Sequence, residues 1–178
     1  MNLAGWILKK AGWNFKINIP PTPKCVIAIA PHTSNWDFIL GELAIRSVGM
    51  KAGFLMKSTW FFFPLGYFMR SIGGIPVKQK KNTRVTDSVV AAFNNHEELV
   101  IGVTPEGTRS PNAKWRTGFM HIAREANIPL VLAYIDYGTR TVCIDRFYEL
   151  TGNIEADMAN IKKYYSQFTA KFPEKFVY

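Results

Sequence analysis

Cysteine is scarce: Cys25 and Cys143 are the only two, and each sits inside an apolar, strand-like run. That spacing offers neither a disulfide framework nor a thiolate metal site, and a reducing compartment is the expected setting. The three histidines, at positions 32, 96 and 121, show no ligand spacing, so no metal is expected. No uncharged apolar run approaches the ~20 residues of a membrane-spanning helix. Acids are almost missing from one half of the chain. Residues 1 to 84 hold 12 Lys or Arg against Asp37 and Glu42 alone, a balance of +10, whereas residues 85 to 178 hold 10 against 11, a balance of −1. Such a one-sided field suits an anionic membrane surface or a phosphorylated small molecule. It would also suit nucleic acid, but no nucleic-acid-binding module is signalled, and none is expected as a partner.

What is present suits one domain with a real core: 178 residues, 48% of them hydrophobic. Strand-like runs at Cys25–Ala30, Ala52–Met56, Leu99–Val103, Leu130–Ile135 and Thr139–Asp145 alternate with helical patterns from Phe38, over Val85–Asn95, over 115 to 126 and from Asn153 to Ala170. This order predicts a single α/β domain, a mixed and mostly parallel sheet flanked by helices, with the functional loops at one edge. Residues 1 to 23 read as an N-terminal helix followed by a stiff connector through Pro20, Pro21 and Pro23, and 24 to 178 as the main domain.

The chain is organised around Pro31-His32-Thr33-Ser34-Asn35-Trp36-Asp37, where the first strand hands over to a helix. Pro31 holds Ala30 in the extended region, and Ser34 is a good N-cap for a helix starting at Asn35. Five residues along a continuous helix would leave His32 and Asp37 about 140° apart around the axis. With His32 on the turn instead, the imidazole can fold back towards the carboxylate. Asp37 would then fix the tautomer while the other ring nitrogen takes a proton. The competing reading is a capping box, Ser34-x-x-Asp37, with a structural histidine beside it.

A second loop, Thr104-Pro105-Glu106-Gly107-Thr108-Arg109-Ser110, follows the Leu99–Val103 run. Strand-end loops are where α/β sheets hold ligands. Arg109 offers a forked phosphate contact, and Glu106 would either accept from a substrate hydroxyl or position Arg109; the alternative is a tight turn with a local Glu–Arg ion pair. Gly73-Gly74 turns into Ile75-Pro76-Val77 just before Lys78, Lys80, Lys81 and Arg84, a solvated basic face or a phosphate contact.

Two segments bear on lipid. The first 15 residues set Leu3, Trp6, Ile7, Leu8, Trp13 and Phe15 around Lys9 and Lys10, as either an interfacial helix or a plain packed one. Trp60-Phe61-Phe62-Phe63-Pro64-Leu65-Gly66-Tyr67-Phe68-Met69 is the densest aromatic stretch. Core filling is its first reading; lining an acyl slot or dipping into a membrane interface is the other.

His32-x-x-x-x-Asp37, Gly73 to Val77, Pro105-Glu106-Gly107-Thr108-Arg109 and Ile128-Pro129-Leu130-Val131 occur in the order found in the glycerolipid acyltransferases of the lysophosphatidic acid acyltransferase (PlsC-like) family, which this chain resembles from about Val26 to Ile135. Trp115-Arg116-Thr117-Gly118 is similar to that family's aromatic-basic-x-Gly stretch. The resemblance implies acyl transfer from acyl-CoA or an acyl carrier protein, without a further cofactor, to a lyso-glycerolipid hydroxyl. It implies His32 and Asp37 as catalytic and Glu106, Gly107, Thr108, Arg109, Lys78 and Arg116 as substrate-binding. With no spanning run and its charge concentrated in the half that carries the N-terminal tryptophans and Phe61 to Phe63, the chain is expected to bind peripherally to the cytoplasmic leaflet of a membrane. Pro31 stands where the family commonly has Asn, Thr104 where it has an aromatic residue, and Lys78-Gln79 where it has an acid and an Arg. A lipid-binding module without turnover and a plain membrane-surface protein are the rival functions.

Overall fold

A computed structural model describes residues 2–49, 52–71, 73–77 and 85–178. Among these residues seven strands form one sheet: β1 (Asn14–Ile17), β2 (Lys24–Ala30), β3 (Ala52–Lys57), β4 (Gly74–Val77), β5 (Leu99–Val103), β6 (Leu130–Asp136) and β7 (Thr141–Tyr148). Their order is β1-β7-β6-β2-β5-β3-β4, and only the β6–β7 pair is antiparallel. Helices α1 (Leu3–Lys10), α2 (Asn35–Ser47), α3 (Leu65–Ser71), α4 (Val85–Asn95), α5 (Gly118–Glu125) and α6 (Ile154–Tyr165) flank it.

Both faces of the sheet are covered, which is why its central strands read as continuous apolar runs rather than as alternations. Val26, Ala28 and Ala30 of β2 join Ile101, Leu130 and Leu132 against α4, α5 and α6, whose Phe93, Phe119, Met120, Ile161 and Tyr165 fill that side. The alternate residues Cys25 and Ile27 face the other way with Val131, Ala133 and Ile144, towards Ile45 of α2. Leu40 and Ala44 of α2 pack with Leu8 of α1. The two thiols are free and buried inside these strands.

Several sequence expectations change. β1 has no sequence signal: it is a four-residue edge strand, largely exposed, and pairs only with β7. Through β1 the 1 to 23 segment enters the sheet rather than standing apart from it. Trp13 and Phe15 are not on the N-terminal helix, which ends at Lys10. Helix α5 starts at Gly118, not 115, because Trp115 is drawn inward with its indole N–H on the Val177 carbonyl (2.9 Å) and the Arg116 N–H donates to the Pro105 carbonyl (2.7 Å). Helix α6 stops at Tyr165, and Phe168 beyond it stacks on Tyr134 at 3.9 Å between centroids.

The aromatic stretch is the largest departure. It does not fill the core: Trp60, Phe62, Phe63, Tyr67 and Phe68 all lie exposed, Phe63 at 83%. A 3-10 turn at Ser58–Trp60 and the seven-residue α3 fold it into a compact knob between β3 and β4.

β2, β5 and β3 are parallel neighbours, so the segments that follow them emerge from the same carboxyl edge of the sheet, at its centre. The His32 turn, the Glu106 loop and the aromatic knob are therefore adjacent by topology.

Candidate active site

His32 stands on the turn between β2 and α2, its side chain 19% exposed. Ser34 caps α2, and the capping box with Asp37 is present. Asp37 does more than cap. Its Oδ2 accepts from the Thr33 and Ser34 N–H groups (2.7 and 2.8 Å), its Oδ1 accepts from the Tyr137 hydroxyl (2.7 Å), and Oδ2 stands 3.6 Å from His32 Nδ1. The two readings of the heptapeptide are thus one arrangement: the hydrogen bonds that cap the helix also fix the carboxylate beside the imidazole. At 3.6 Å the His–Asp contact is longer than a hydrogen bond. Burial holds the His32 pKa below its ordinary value; Asp37 pulls it up and Arg109 pushes it further down. The ring is therefore a free base at neutral pH. With Nδ1 facing Asp37, Nε2 is the nitrogen left to take a proton.

Tyr137 has no sequence signal, lying 100 residues from Asp37 in a β6–β7 turn. Trp13 holds it edge-on, centroids 4.9 Å apart, and its N–H donates to the Thr169 carbonyl (2.9 Å). Burial and the Asp37 carboxylate raise the phenol pKa, so Tyr137 is a neutral donor.

Glu106 is 5% exposed and points inward, under the His32 turn. Its Oε1 accepts from the His32 N–H at 2.7 Å, while Oε2 has no hydrogen-bond partner among the described residues. Burial pushes this carboxyl up to about 7, against the lowering effect of the His32 N–H. Of the two roles weighed from sequence, the contact with Arg109 is not the one the side chain makes. No ion pair links it to Arg109; it braces the backbone of the histidine.

The rest of the loop faces outward. Thr104, Gly107, Thr108, Arg109 and Ser110 line a polar cleft of about 430 Å³ together with His32. Gly107 has φ +67°, and a Cβ there would stand 2.9 Å from Arg116 Cγ, so backbone conformation and crowding both require glycine. Arg116 thus packs against the loop at Gly107. Lys78 and the basic cluster after it lie outside the described residues. His121, on α5, is remote from this cluster and lines a small crevice by Arg124 and Asp157.

A second, apolar cavity of about 480 Å³ opens beside His32 and Asp37 and runs between α2 and the sheet, past Phe38, Gly41, Phe54 and Gly102. Arg109 lines it as well as the polar cleft. At Ala52 and Gly53 it meets a further trough of about 840 Å³, walled by Ile17, Ile19, Ile27 and Ile75. The imidazole therefore separates a charged polar cleft from a long apolar one.

A family model described as Acyltransferase matches residues 14–136, well over half of the chain. No curated protein sequence matches it. Among solved structures, the crystal structure of the 1-acyl-sn-glycerophosphate (LPA) acyltransferase PlsC from Thermotoga maritima is similar, with a TM-score of 0.59 and 16% identity over 95% of this chain and 78% of that one. The two share a fold.

Proposed function

This chain belongs to the acyltransferase family, and from that premise we propose that it moves a fatty acyl group from a thioester, acyl-CoA or acyl carrier protein, to the hydroxyl of a lysophosphatidic acid-like glycerolipid. The observation that carries this reading is the position of His32, beside a hydrogen-bonded Asp37 and between the two cavities. A volume of 480 Å³ is within the ~300–1,000 Å³ usual for small-molecule sites, and its apolar lining suits an acyl chain. The cleft of Thr108 and Arg109 suits an anionic head group. The solved neighbour is an LPA acyltransferase, which supports the same class of acceptor.

In this mechanism His32 Nε2 takes the proton of the acceptor hydroxyl as its oxygen attacks the thioester carbonyl carbon. Asp37 opposes the positive charge that appears on the ring. The tetrahedral intermediate collapses with loss of the C–S bond, and the imidazolium returns the proton to the departing sulfur, giving ester and thiol. No group beyond donor and acceptor enters the balance. A positioned base of this kind is worth roughly 10²–10⁴-fold.

The test is thiol release from acyl-CoA and acyl carrier protein donors across a panel of lyso-lipid acceptors. Acceptor-dependent release that His32→Ala abolishes and Asp37→Asn strongly lowers, with the fold retained, is expected. Release unchanged in the His32 variant would refute the mechanism, and no release with any acceptor would favour a lipid-binding module.

A further inference from the structure

The exposed knob between β3 and β4 has no part in the proposed chemistry, yet it is built rather than slack. Gly66 is buried at its centre, where an added Cβ would stand 2.7 Å from the Phe61 carbonyl oxygen. The Gly66 N–H donates to the Phe62 carbonyl at 2.6 Å, and the Arg70 guanidinium lies 5.3 Å over the Phe61 ring. This tight packing of backbone and Phe61 turns the remaining rings outward. Phe63 and Tyr67 pair edge to face at 6.3 Å, 83% and 76% exposed, with Trp60, Phe62 and Phe68 beside them at 51% or more. Large aromatic rings grouped on a surface mark a contact.

Charge says what kind of contact. Residues 43 to 86, which include the knob, hold eight Lys or Arg and no Asp or Glu. An acid-free basic stretch of sequence is drawn to anionic headgroups and aromatic rings settle at a bilayer interface, and Arg70, a cation of that stretch, sits in the knob itself over Phe61. Position adds to this. The knob leaves the same sheet edge as His32, two strands away, and Trp36, Phe38 and Ile39 in the first turns of α2 also expose their side chains there. Phe38, which walls the apolar cavity, contacts Phe54 of β3 edge-on at 4.9 Å.

We propose that the Trp60–Phe68 knob is the element that inserts into an anionic bilayer surface, and that by doing so it seats the mouth of the His32 cavity on the lipid. The second part rests on the proposed lipid acceptor; the first does not. The N-terminal helix is the rival anchor, with Leu3 and Trp6 exposed, but Leu8 is buried and Trp13 holds Tyr137, so deleting that segment would damage the fold. Point changes separate the two.

The experiment is sedimentation of the full chain with phosphatidylcholine vesicles and with vesicles containing phosphatidylglycerol, at low and high salt. Wild type should prefer the anionic vesicles and keep residual binding at high salt, because salt screens cations but not inserted rings. The double variant Phe63→Ser/Tyr67→Ser should lose ~10-fold or more in partitioning. Its melting temperature and thiol release with a water-soluble, short-chain acceptor should be unchanged. Leu3→Ser/Trp6→Ser should lose much less. Wild-type-like binding by the knob variant, an equal or larger loss in the Leu3/Trp6 variant, or failure of wild type to bind anionic vesicles would each overturn the proposal. Vesicle binding without any thiol release would leave the anchor standing and sink the acyl-transfer reading instead.

Discussion

Replacing Glu106 by Gln tests the site from its most strained point. The Glu106 carboxyl is buried, holds one hydrogen bond from the His32 N–H and leaves Oε2 unpaired. Burial raises its pKa from 4.5 to about 7 in the fold. Between those values the folded chain carries a proton that the unfolded chain has already released. Stability from this group is therefore fully present below about pH 4.5 and is lost as pH rises through 7. A shift of roughly 2.5 pH units at ~1.36 kcal/mol each corresponds to about 3 kcal/mol. Gln keeps an oxygen to accept from His32 and cannot ionise. Urea unfolding of wild type and Glu106→Gln at pH 5 and pH 8 should show stabilities within about 1 kcal/mol of each other at pH 5 and an advantage of about 3 kcal/mol for Gln at pH 8. Heat should show the same as a difference of several degrees. Glu106→Ala, which cannot ionise either, removes the acceptor and orphans the His32 N–H, and should lie about 1–3 kcal/mol below Glu106→Gln at both pH values, besides any cavity. Parallel pH dependence in wild type and the Gln variant would refute the reasoning, because it would mean that Glu106 is as well solvated in the fold as out of it.

Three further outcomes follow from the same geometry. Tyr137→Phe removes the donor to Asp37 Oδ1 and returns charge density to a carboxylate that faces His32. With Arg109 the other charge acting on the ring and Glu106 confined to its backbone, the acid limb of kcat/KM should move to higher pH. kcat should fall about tenfold with acceptor KM little changed, whereas a merely structural tyrosine would leave the limb in place. Arg109→Lys should raise acceptor KM because the planar fork is lost; an unchanged KM would reduce the Arg109 loop to a surface turn worth ~0–1 kcal/mol. Gly107→Ala should destabilise the loop by more than 1 kcal/mol, since φ +67° and the Arg116 side chain both resist a Cβ, and thermal melting would show it.

The sequence by itself determined the order of the main elements and the turn at which His32 and Asp37 meet. β2, β5 and β6 were legible as short apolar runs because both faces of a parallel sheet are buried. The start of α2 was legible because Ser34 and the backbone around it decide a helix terminus locally. His32 and Asp37 are five residues apart, so turn geometry alone could bring them together. Everything that depended on partners distant in the chain was left to the tertiary structure. β1 exists only because β7 offers it an edge. Tyr137 reaches Asp37 because β6 carries it to the α2 terminus. Glu106 was readable as a candidate, but its direction was not: the pairing of β5 with β2 places it under the His32 N–H. The aromatic stretch was readable as apolar and misread as core. Composition measures how much a segment gains from leaving water, and only the fold decides whether protein is there to receive it; here the sheet ends before the rings do.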